Sequence, residues 1–273
     1  MLKGDMMNKT FGCLGVGNMA PAIIGGMLES NFVAPENIFI FDSSVEKCSH
    51  FQSKGVSVCA DNNDVVLNSD IITVAVKPQN YAEVLQQFRD IDCSNKVFVS
   101  IAAGISIDFV RSQLNQNVKV VRVMPNTPLL LSKGATALCP STDMIKDEFE
   151  PVKDMFSLSG VVEIIEEEHM NEIIAVNGSS PAFFYLFAKA MADYAVSCGI
   201  DREKALNLIC ATYEGAAKMI RDSGDDIDTL IDKVSSKGGT TIEALNSFRE
   251  NNIEKIIKDA MAACTKRAEE LGK

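Results

Sequence analysis

A glycine-rich turn near the start of the chain constrains the fold more than any other feature. Apolar residues 11–14 predict a short strand, and the next six, Gly15-Val16-Gly17-Asn18-Met19-Ala20, fit the pattern G-x-G-x-x-A. Gly15 permits a tight turn, Gly17 lets backbone approach a pyrophosphate, and Ala20 allows close helix packing. The stretch predicts a dinucleotide site facing a helix N-terminus; a purely structural glycine turn is the alternative. The candidate cofactor contacts here are Gly15, Gly17, Asn18 and Met19.

An acidic residue ends the next apolar stretch, 38–41. Asp42 lies at about the distance from the turn expected for a contact to the cofactor ribose. A carboxylate there favours a 2′-hydroxyl, hence NADH, because it repels a 2′-phosphate. Ser43, Ser44 and Lys47 are placed to hold that phosphate instead. The residues therefore leave NADPH and NADH both open, with Asp42 and Ser43 as candidate contacts.

Charge and composition exclude several classes of protein. The 273 residues include 26 basic and 37 acidic ones, a net charge of −11, which argues against nucleic-acid or anionic-membrane partners. The eight cysteines contain no C-x-x-C pair and are expected to be reduced, and the two histidines are too far apart to argue for a metal. The first ten residues lack the apolar run of a signal peptide, and Lys189 and Asp193 interrupt the most apolar stretch. We expect a cytoplasmic protein without a membrane span.

The chain divides into two parts of different character. Up to about residue 165, short apolar runs alternate with helical segments, which predicts a Rossmann-like, doubly wound parallel sheet with helices on both faces. The predicted strands are 11–14, 38–41, 56–59, 71–76, 97–101, 118–123, 135–138 and 161–165. The predicted helices between them are 19–30, 45–54, 64–68, 81–88, 107–113 and 145–157. We therefore expect a dinucleotide-binding domain over 8–165 and an all-helical domain over 166–273.

The second part shows helix signals and an excess of apolar residues. Asp201 is a plausible N-cap for a helix ending near Arg221. Five consecutive bulky residues, 183–187, cannot all face one neighbouring helix. This pattern predicts an obligate dimer with a mostly helical interface.

Three strand ends are expected at the sheet edge where ligands bind in such folds. They give the candidate cofactor contacts Val76, Lys77, Pro78, Ala102, Ala103 and Asn126. Small, proline-containing and amide-bearing residues suit a flat nicotinamide-ribose surface, although the prolines alone are also explained as strand terminators. Asn126 is the best candidate for a polar contact, because a strand end does not by itself require an amide.

The stretch over residues 234–245 predicts an anion site. Two glycines precede a helix, and Thr240 with Glu243 matches a capping box, which would leave the Thr241 hydroxyl uncommitted. The start of such a helix offers amides and a positive dipole end to a carboxylate. An ordinary capped helix after a flexible loop is the alternative.

Several motifs in this order resemble those of the pyrroline-5-carboxylate reductases over essentially the full length of the chain. The matching elements are G-C-L-G-V-G-N-M at 12–19, V-K-P at 76–78, S-I-A-A-G at 100–104, R-V-M-P-N-T-P at 122–128, N-G-S-S-P-A-F at 177–183 and S-S-K-G-G-T-T-I at 235–242. The resemblance implies reduction of a cyclic imine to L-proline, the last step of proline biosynthesis, with NADPH or NADH. It also implies a Rossmann domain followed by a helical dimerisation domain, active sites completed across a homodimer, and dimers that often assemble into decamers.

The resemblance also implies roles in the loop at 235–242. The Ser236 hydroxyl and the amides of Gly239 and Thr240 would bind the substrate carboxylate, with Gly238 in the same loop, and Thr241 would hydrogen-bond the ring nitrogen and serve as the catalytic residue. Lys237 departs from the proline found there in many members. Because a cyclic imine can be protonated before hydride arrives, the lack of a histidine in any motif is consistent with this chemistry.

Two other functions remain open from the residues. A β-hydroxyacid dehydrogenase shares the general plan but uses a helical lysine in a glycine-rich setting, which Lys189 lacks. A non-catalytic dinucleotide-binding sensor would keep the fold without the chemistry, and the intact Ser236 and Thr241 argue against it.

Overall fold

The computed structural model describes residues 7–272, and its first part is built on an eight-stranded sheet. The strands are β1 Phe11–Leu14, β2 Ile38–Phe41, β3 Ser57–Val58, β4 Ile71–Val74, β5 Val97–Ser100, β6 Lys119–Met124, β7 Gly134–Pro140 and β8 Gly160–Ile164. Their spatial order is β3-β2-β1-β4-β5-β6-β7-β8. The order reverses on either side of β1, as a doubly wound fold requires, and this confirms the predicted fold class.

One strand pairing differs from the predicted all-parallel sheet. β7 runs antiparallel to β6, with Arg122 opposite Cys139, while the other strand pairs of the described sheet are parallel. The segment joining the two strands holds only a short 3₁₀ helix, Thr127–Leu131. A parallel crossover needs a connection of a dozen or more residues, so the chain turns back instead.

The helices follow the predicted order, and predicted elements of the first part have ends within two residues of those observed. They are α1 Ala20–Glu29, α2 Val45–Gln52, α3 Asn62–Leu67, α4 Tyr81–Gln86, α5 Ile107–Leu114, α6 Lys146–Ser157, α7 Ser180–Ser197, α8 Arg202–Asp222, α9 Ile227–Val234, α10 Thr240–Glu250 and α11 Ile253–Leu271. Asp201 caps α8 as predicted, because its carboxylate accepts the Lys204 amide at 3.0 Å.

The sheet is covered on both faces, and the core lies in two layers. Residues of β1, β4 and β5 alternate between one apolar cluster under α1, α2 and α6 and another under α3, α4 and α5. β1, β4 and β5 are therefore buried along their whole length, since both faces of a parallel sheet are covered. All eight cysteines are free thiols.

The chain forms two compact units. One contains the residues up to Ser179 together with those from Ala263 on, and the other contains Ser180–Ala262. In the second unit α7 and α8 pack together through rings such as Phe184 and Tyr213, whose centroids are 6.3 Å apart. Of the residues described, none belongs to a helix long and apolar enough to cross a membrane.

The end of α11 packs within the first unit against the loop after β5. Gly104 has a φ of +81°, and a Cβ there would lie 2.4 Å from the Ala268 carbonyl oxygen. Both the backbone conformation and the close approach require glycine. The glycine of the S-I-A-A-G motif is thus explained by packing.

Candidate active site

A cleft of about 530 Å³ lies at the carboxyl ends of β1, β2 and β4. Six of the candidate cofactor contacts line it: Gly15, Gly17, Asp42, Ser43, Val76 and Lys77. This is the edge of an open sheet at which ligands bind.

The glycine turn is shaped for the close approach of a ligand. Gly15 has a φ of +89°, and a Cβ there would lie 3.2 Å from the Ala75 carbonyl oxygen. At Gly17 the atom nearest to a Cβ would be the same Ala75 oxygen, at 3.6 Å. Because glycine has no Cβ, the turn stays open at this position. Among the described residues no side chain caps α1, which begins directly after the turn with Met19 as N-cap. The geometry fits a pyrophosphate held by glycine backbone and a helix start.

Asp42 is fixed in orientation at the end of β2. Its carboxylate accepts the Val16 amide at 2.8 Å and the Ser44 amide at 2.9 Å, and it pairs with the Lys47 ammonium at 3.2 Å. Burial opposes its ionisation, but these bonds outweigh burial and lower the pKa of Asp42 below its ordinary value. The group is therefore an anion at neutral pH, locked beside the glycine turn.

The other candidate cofactor contacts are not among the residues that line this cleft. Asn18 and Met19 lie in the turn before α1, Pro78 begins a 3₁₀ helix ending at Asn80, and Ala102 and Ala103 follow β5. Their contact with a cofactor stays a prediction.

Asn126 makes structural hydrogen bonds with both polar atoms of its side chain. Oδ1 accepts the Ala135 amide at 2.9 Å, and Nδ2 donates to the Asn177 carbonyl oxygen at 3.1 Å. In turn the Asn177 amide donates to the carbonyl oxygens of Met124 and Ala135. These bonds explain an amide at the end of β6 without a ligand, whereas its contact with a cofactor stays a prediction.

Several polar groups in the cleft were not predicted from the sequence. Asn62, Gln79, Asn80 and Gln87 all line it, and the Asn62 amide donates to Gln87 Oε1 at 3.2 Å. Asn62 and Asn80 each follow a strand by a few residues, which is the signal that points to them. No group of three or more potential metal ligands occurs among residues 7–272.

The predicted substrate loop, 235–241, belongs to the second unit. Gly238 has a φ of +75°, and the Gly239 amide donates to the Ser236 carbonyl oxygen at 2.9 Å. Ser235 is occupied locally, since its hydroxyl donates to the Ile231 carbonyl oxygen. Ser236, Gly238, Thr240 and Thr241 are exposed.

The predicted capping box in this loop is wrong. α10 begins at Thr240 itself, its N-cap is Gly239, and no side chain in the described chain caps it. Gly239 takes the extended conformation of an N-cap (φ −84°, ψ 171°), which shifts the helix start by one residue. Thr240 and Thr241 therefore both lie in the first turn, where uncapped amides face outward together with the positive end of the helix dipole. The anion site itself stays a prediction.

The lysine that the β-hydroxyacid dehydrogenase alternative requires forms an ion pair with an aspartate of the same helix. Lys189 lies in α7 and pairs with Asp193, one turn further on, at 2.6 Å. The Lys189–Asp193 ion pair is exposed to solvent and is of a kind common on helix surfaces.

Comparison with known proteins extends over both parts of the chain. Residues 167–271 match the family model described as pyrroline-5-carboxylate reductase dimerisation, and residues 10–104 match the model described as NADP oxidoreductase, coenzyme F420-dependent. The pyrroline-5-carboxylate reductase of Escherichia coli K12 is 34% identical over 268 residues, covering 98% of this chain and 100% of the relative. The enzyme of Methanosarcina acetivorans is 35% identical over 269 residues, with 98% and 100% covered.

Solved structures give the same result. The pyrroline carboxylate reductase of Plasmodium falciparum, solved with NADP bound, superposes with a TM-score of 0.90 at 29% identity, covering 98% of this chain and 100% of the other. The Coxiella burnetii pyrroline-5-carboxylate reductase gives a TM-score of 0.89 at 30% identity with the same coverage. The chain belongs to the pyrroline-5-carboxylate reductase family.

Proposed function

We propose that this protein reduces the C=N bond of 1-pyrroline-5-carboxylate to give L-proline, the last step of proline biosynthesis, with NADPH or NADH as hydride donor. The observation that carries the proposal is the start of α10, which no side chain of the described residues caps and where the exposed Ser236, Thr240 and Thr241 offer hydroxyls to a small anion. Membership of the family, and the cleft beside the glycine turn, support the choice of reaction and of cofactor class.

The proposed substrate contacts follow from the chemistry of that loop. The Ser236 hydroxyl and the amides of Gly239 and Thr240 bind the carboxylate, because a helix N-terminus favours negative charge. The glycine at 238 lets the loop close around so small a group. The Thr241 hydroxyl hydrogen-bonds the ring nitrogen and holds the ring in one orientation.

The reaction needs orientation more than acid catalysis. The bound reduced nicotinamide supplies a hydride. An imine nitrogen that carries a proton already withdraws electrons from its ring carbon, so the C=N electron pair moves onto nitrogen as hydride adds, and a secondary amine results. The chain contributes by fixing the ring carbon and nitrogen, for which Thr241 is the assigned side chain.

In the cofactor site, the proposed contacts are the turn at 15–19, Asp42 and Ser43 at the end of β2, the loop at 76–78, and Ala102, Ala103 and Asn126. The glycine turn holds the pyrophosphate and Asp42 faces the ribose. The direction of any preference between NADPH and NADH depends on whether the locked Asp42 carboxylate or the neighbouring Ser43 and Lys47 dominates at the 2′ position.

We also propose that residues 8–165 act as the dinucleotide-binding domain and 166–273 as the dimerisation and substrate-binding domain, in a cytoplasmic homodimer of which five copies form a decamer. The match of 167–271 to a dimerisation model supports the division and the homo-oligomer.

The test is proline formation from pyrroline-5-carboxylate, followed by oxidation of NADPH and, separately, NADH. We expect turnover with at least one cofactor, and proline identified as the product. Absence of turnover with both, in protein that binds dinucleotide, would exclude this function and leave a sensor.

A further inference from the structure

A buried tyrosine hydroxyl lies between the ends of two strands at the cofactor edge. Tyr81, the first residue of α4, is wholly buried. Its hydroxyl donates to the carbonyl oxygen of Val74, the last residue of β4, at 2.5 Å. It also accepts from the hydroxyl of Ser100, the last residue of β5, at 3.4 Å. One oxygen therefore connects neighbouring parallel strands at the point where both end.

The Tyr81 hydroxyl has two hydrogen-bond partners, the Val74 carbonyl oxygen and the Ser100 hydroxyl. Burial is the largest influence on this group and raises the pKa of Tyr81 far above its ordinary value, so the hydroxyl keeps its proton and continues to donate to Val74. Buried polar groups that are hydrogen-bonded in this way fix one arrangement of their surroundings. A phenylalanine would fill the same space without making any of these bonds.

Each of the two strand ends leads directly into a proposed cofactor loop. Val74 precedes the segment 75–78, and Ser100 precedes the segment 101–104. The first segment also touches the glycine turn, since the Ala75 carbonyl oxygen would lie 3.2 Å from a Cβ at Gly15, and the Ala75 amide donates to the Leu14 carbonyl oxygen at 2.9 Å. A shift at the end of β4 would therefore reach both the turn and the loop.

We propose that the Tyr81 hydroxyl is a positioning residue for the cofactor: it fixes the spacing between the loops at 75–78 and 101–104 without touching the ligand. The proposal rests on the proposed dinucleotide site, and not on the identity of the imine.

The test compares Tyr81→Phe with Phe88→Leu in the full-length protein. Phe88 is wholly buried in the same apolar cluster but makes no side-chain hydrogen bond at the strand ends, so it controls for a general loosening of the core. The first measurement is the dissociation constant of NADH and NADPH, from their fluorescence on binding. The second is the melting temperature.

We expect Tyr81→Phe to raise the dissociation constant of the preferred cofactor about tenfold, and Phe88→Leu to change it less than about twofold at a comparable loss of melting temperature. With saturating cofactor, the KM for the imine should be unchanged in Tyr81→Phe. Ser100→Ala removes only one hydrogen-bond partner of Tyr81 and should give a smaller increase in the dissociation constant of the cofactor. This variant also tests the proposal if Tyr81→Phe does not fold.

Equal effects of Tyr81→Phe and Phe88→Leu on cofactor binding would overturn the proposal, as would unchanged binding in Tyr81→Phe and Ser100→Ala. So would a wild-type protein that binds neither dinucleotide. A wild-type protein that binds dinucleotide but does not reduce the imine would exclude the proposed reaction, while the binding measurements would still decide the role of Tyr81.

Discussion

Two adjacent threonines at the start of α10 differ in their proposed roles, and Thr241 alone is assigned to the ring nitrogen. Because neither hydroxyl caps the helix, replacing Thr241 by alanine should leave the fold intact. We expect Thr241→Ala to lower kcat by at least about tenfold, since hydrogen bonding to the reacting group is lost, with an unchanged dissociation constant for the cofactor. Thr241→Ser keeps the hydroxyl and should retain most turnover. Near wild-type kcat in Thr241→Ala would remove the residue from the mechanism.

The locked carboxylate of Asp42 should discriminate between the two cofactors. Two backbone amides hold it in place, so it cannot rotate away from a 2′-phosphate. We expect Asp42→Ser to raise the ratio of kcat/KM for NADPH to that for NADH by about tenfold, because like-charge repulsion is removed. Lys47→Gln removes a cation beside the site and should lower the same ratio. A ratio that does not respond to Asp42→Ser would place the ribose elsewhere.

The positions of residues were predictable where the local backbone determines them. Gly15 and Gly17 follow from the turn, and both line the cleft. The structural bonds of Asn126 were not predictable, since one partner, Asn177, is 51 residues away in sequence. The capping box failed because Gly239 and Thr240 were both acceptable N-caps by residue type, and the backbone conformation of the loop decided between them.

At the scale of elements, a charged cluster joins α5, β6 and the loop before α6. Asp143 accepts from the Arg111 guanidinium at 2.6 Å and lies 3.4 Å from the Lys119 ammonium. Burial opposes ionisation, but bonds from Arg111 and Ser141 outweigh it and lower the pKa of Asp143 from 3.8 to about 2. A lowered folded-state pKa contributes stability that is fully present above the unfolded value and is lost as the pH falls toward 2.

We therefore expect Asp143→Asn to lower the melting temperature at pH 7 by a small amount, corresponding to under about 1 kcal/mol because a third of the side chain is in water. The difference from wild type should narrow as the pH falls below about 4, where the wild-type carboxylate begins to lose its advantage. The measurement is thermal unfolding across this pH range. A difference in melting temperature between wild type and Asp143→Asn that stays constant with pH would show that the charge on Asp143 does not cause the stabilisation.

The order and type of elements were predictable because each strand and helix has a clear apolar period or run. The direction of β7 was not, since strand direction depends on the length and path of a connection whose 3₁₀ helix, Thr127–Leu131, carries no strong signal. The packing of the end of α11 within the first unit was also not predicted from the sequence. It depends on contacts such as Gly104 with Ala268, which are distant in sequence.

At the scale of the whole molecule, the helical unit exposes more apolar surface than a monomer usually tolerates. Tyr185, Leu186 and Leu208 are each more than 60% exposed in the single chain. Large exposed apolar patches mark interfaces, and a dimerisation family model matches these residues. Consecutive bulky residues in α7 made this feature predictable from sequence.

We expect a mass of at least two chains in analytical ultracentrifugation at micromolar concentration. Tyr185→Asp should shift the distribution toward monomer, since burying an unpaired charge in an interface is unfavourable. Lys146→Ala, on an exposed position of α6, should leave it unchanged. A monomer that persists at high protein concentration would contradict the dimer.

The chain enters and leaves the helical unit at neighbouring points. It departs after Ser179 and returns at Ala263, and the Ser179 hydroxyl lies 3.2 Å from the Cys264 thiol. In covalent terms the unit Ser180–Ala262 is an insertion into the first unit, which is therefore discontinuous in sequence. A fragment that ends at Ser179 therefore lacks the helix end that covers Gly104, whereas excising 180–262 and joining the two neighbouring ends with a few residues would retain it.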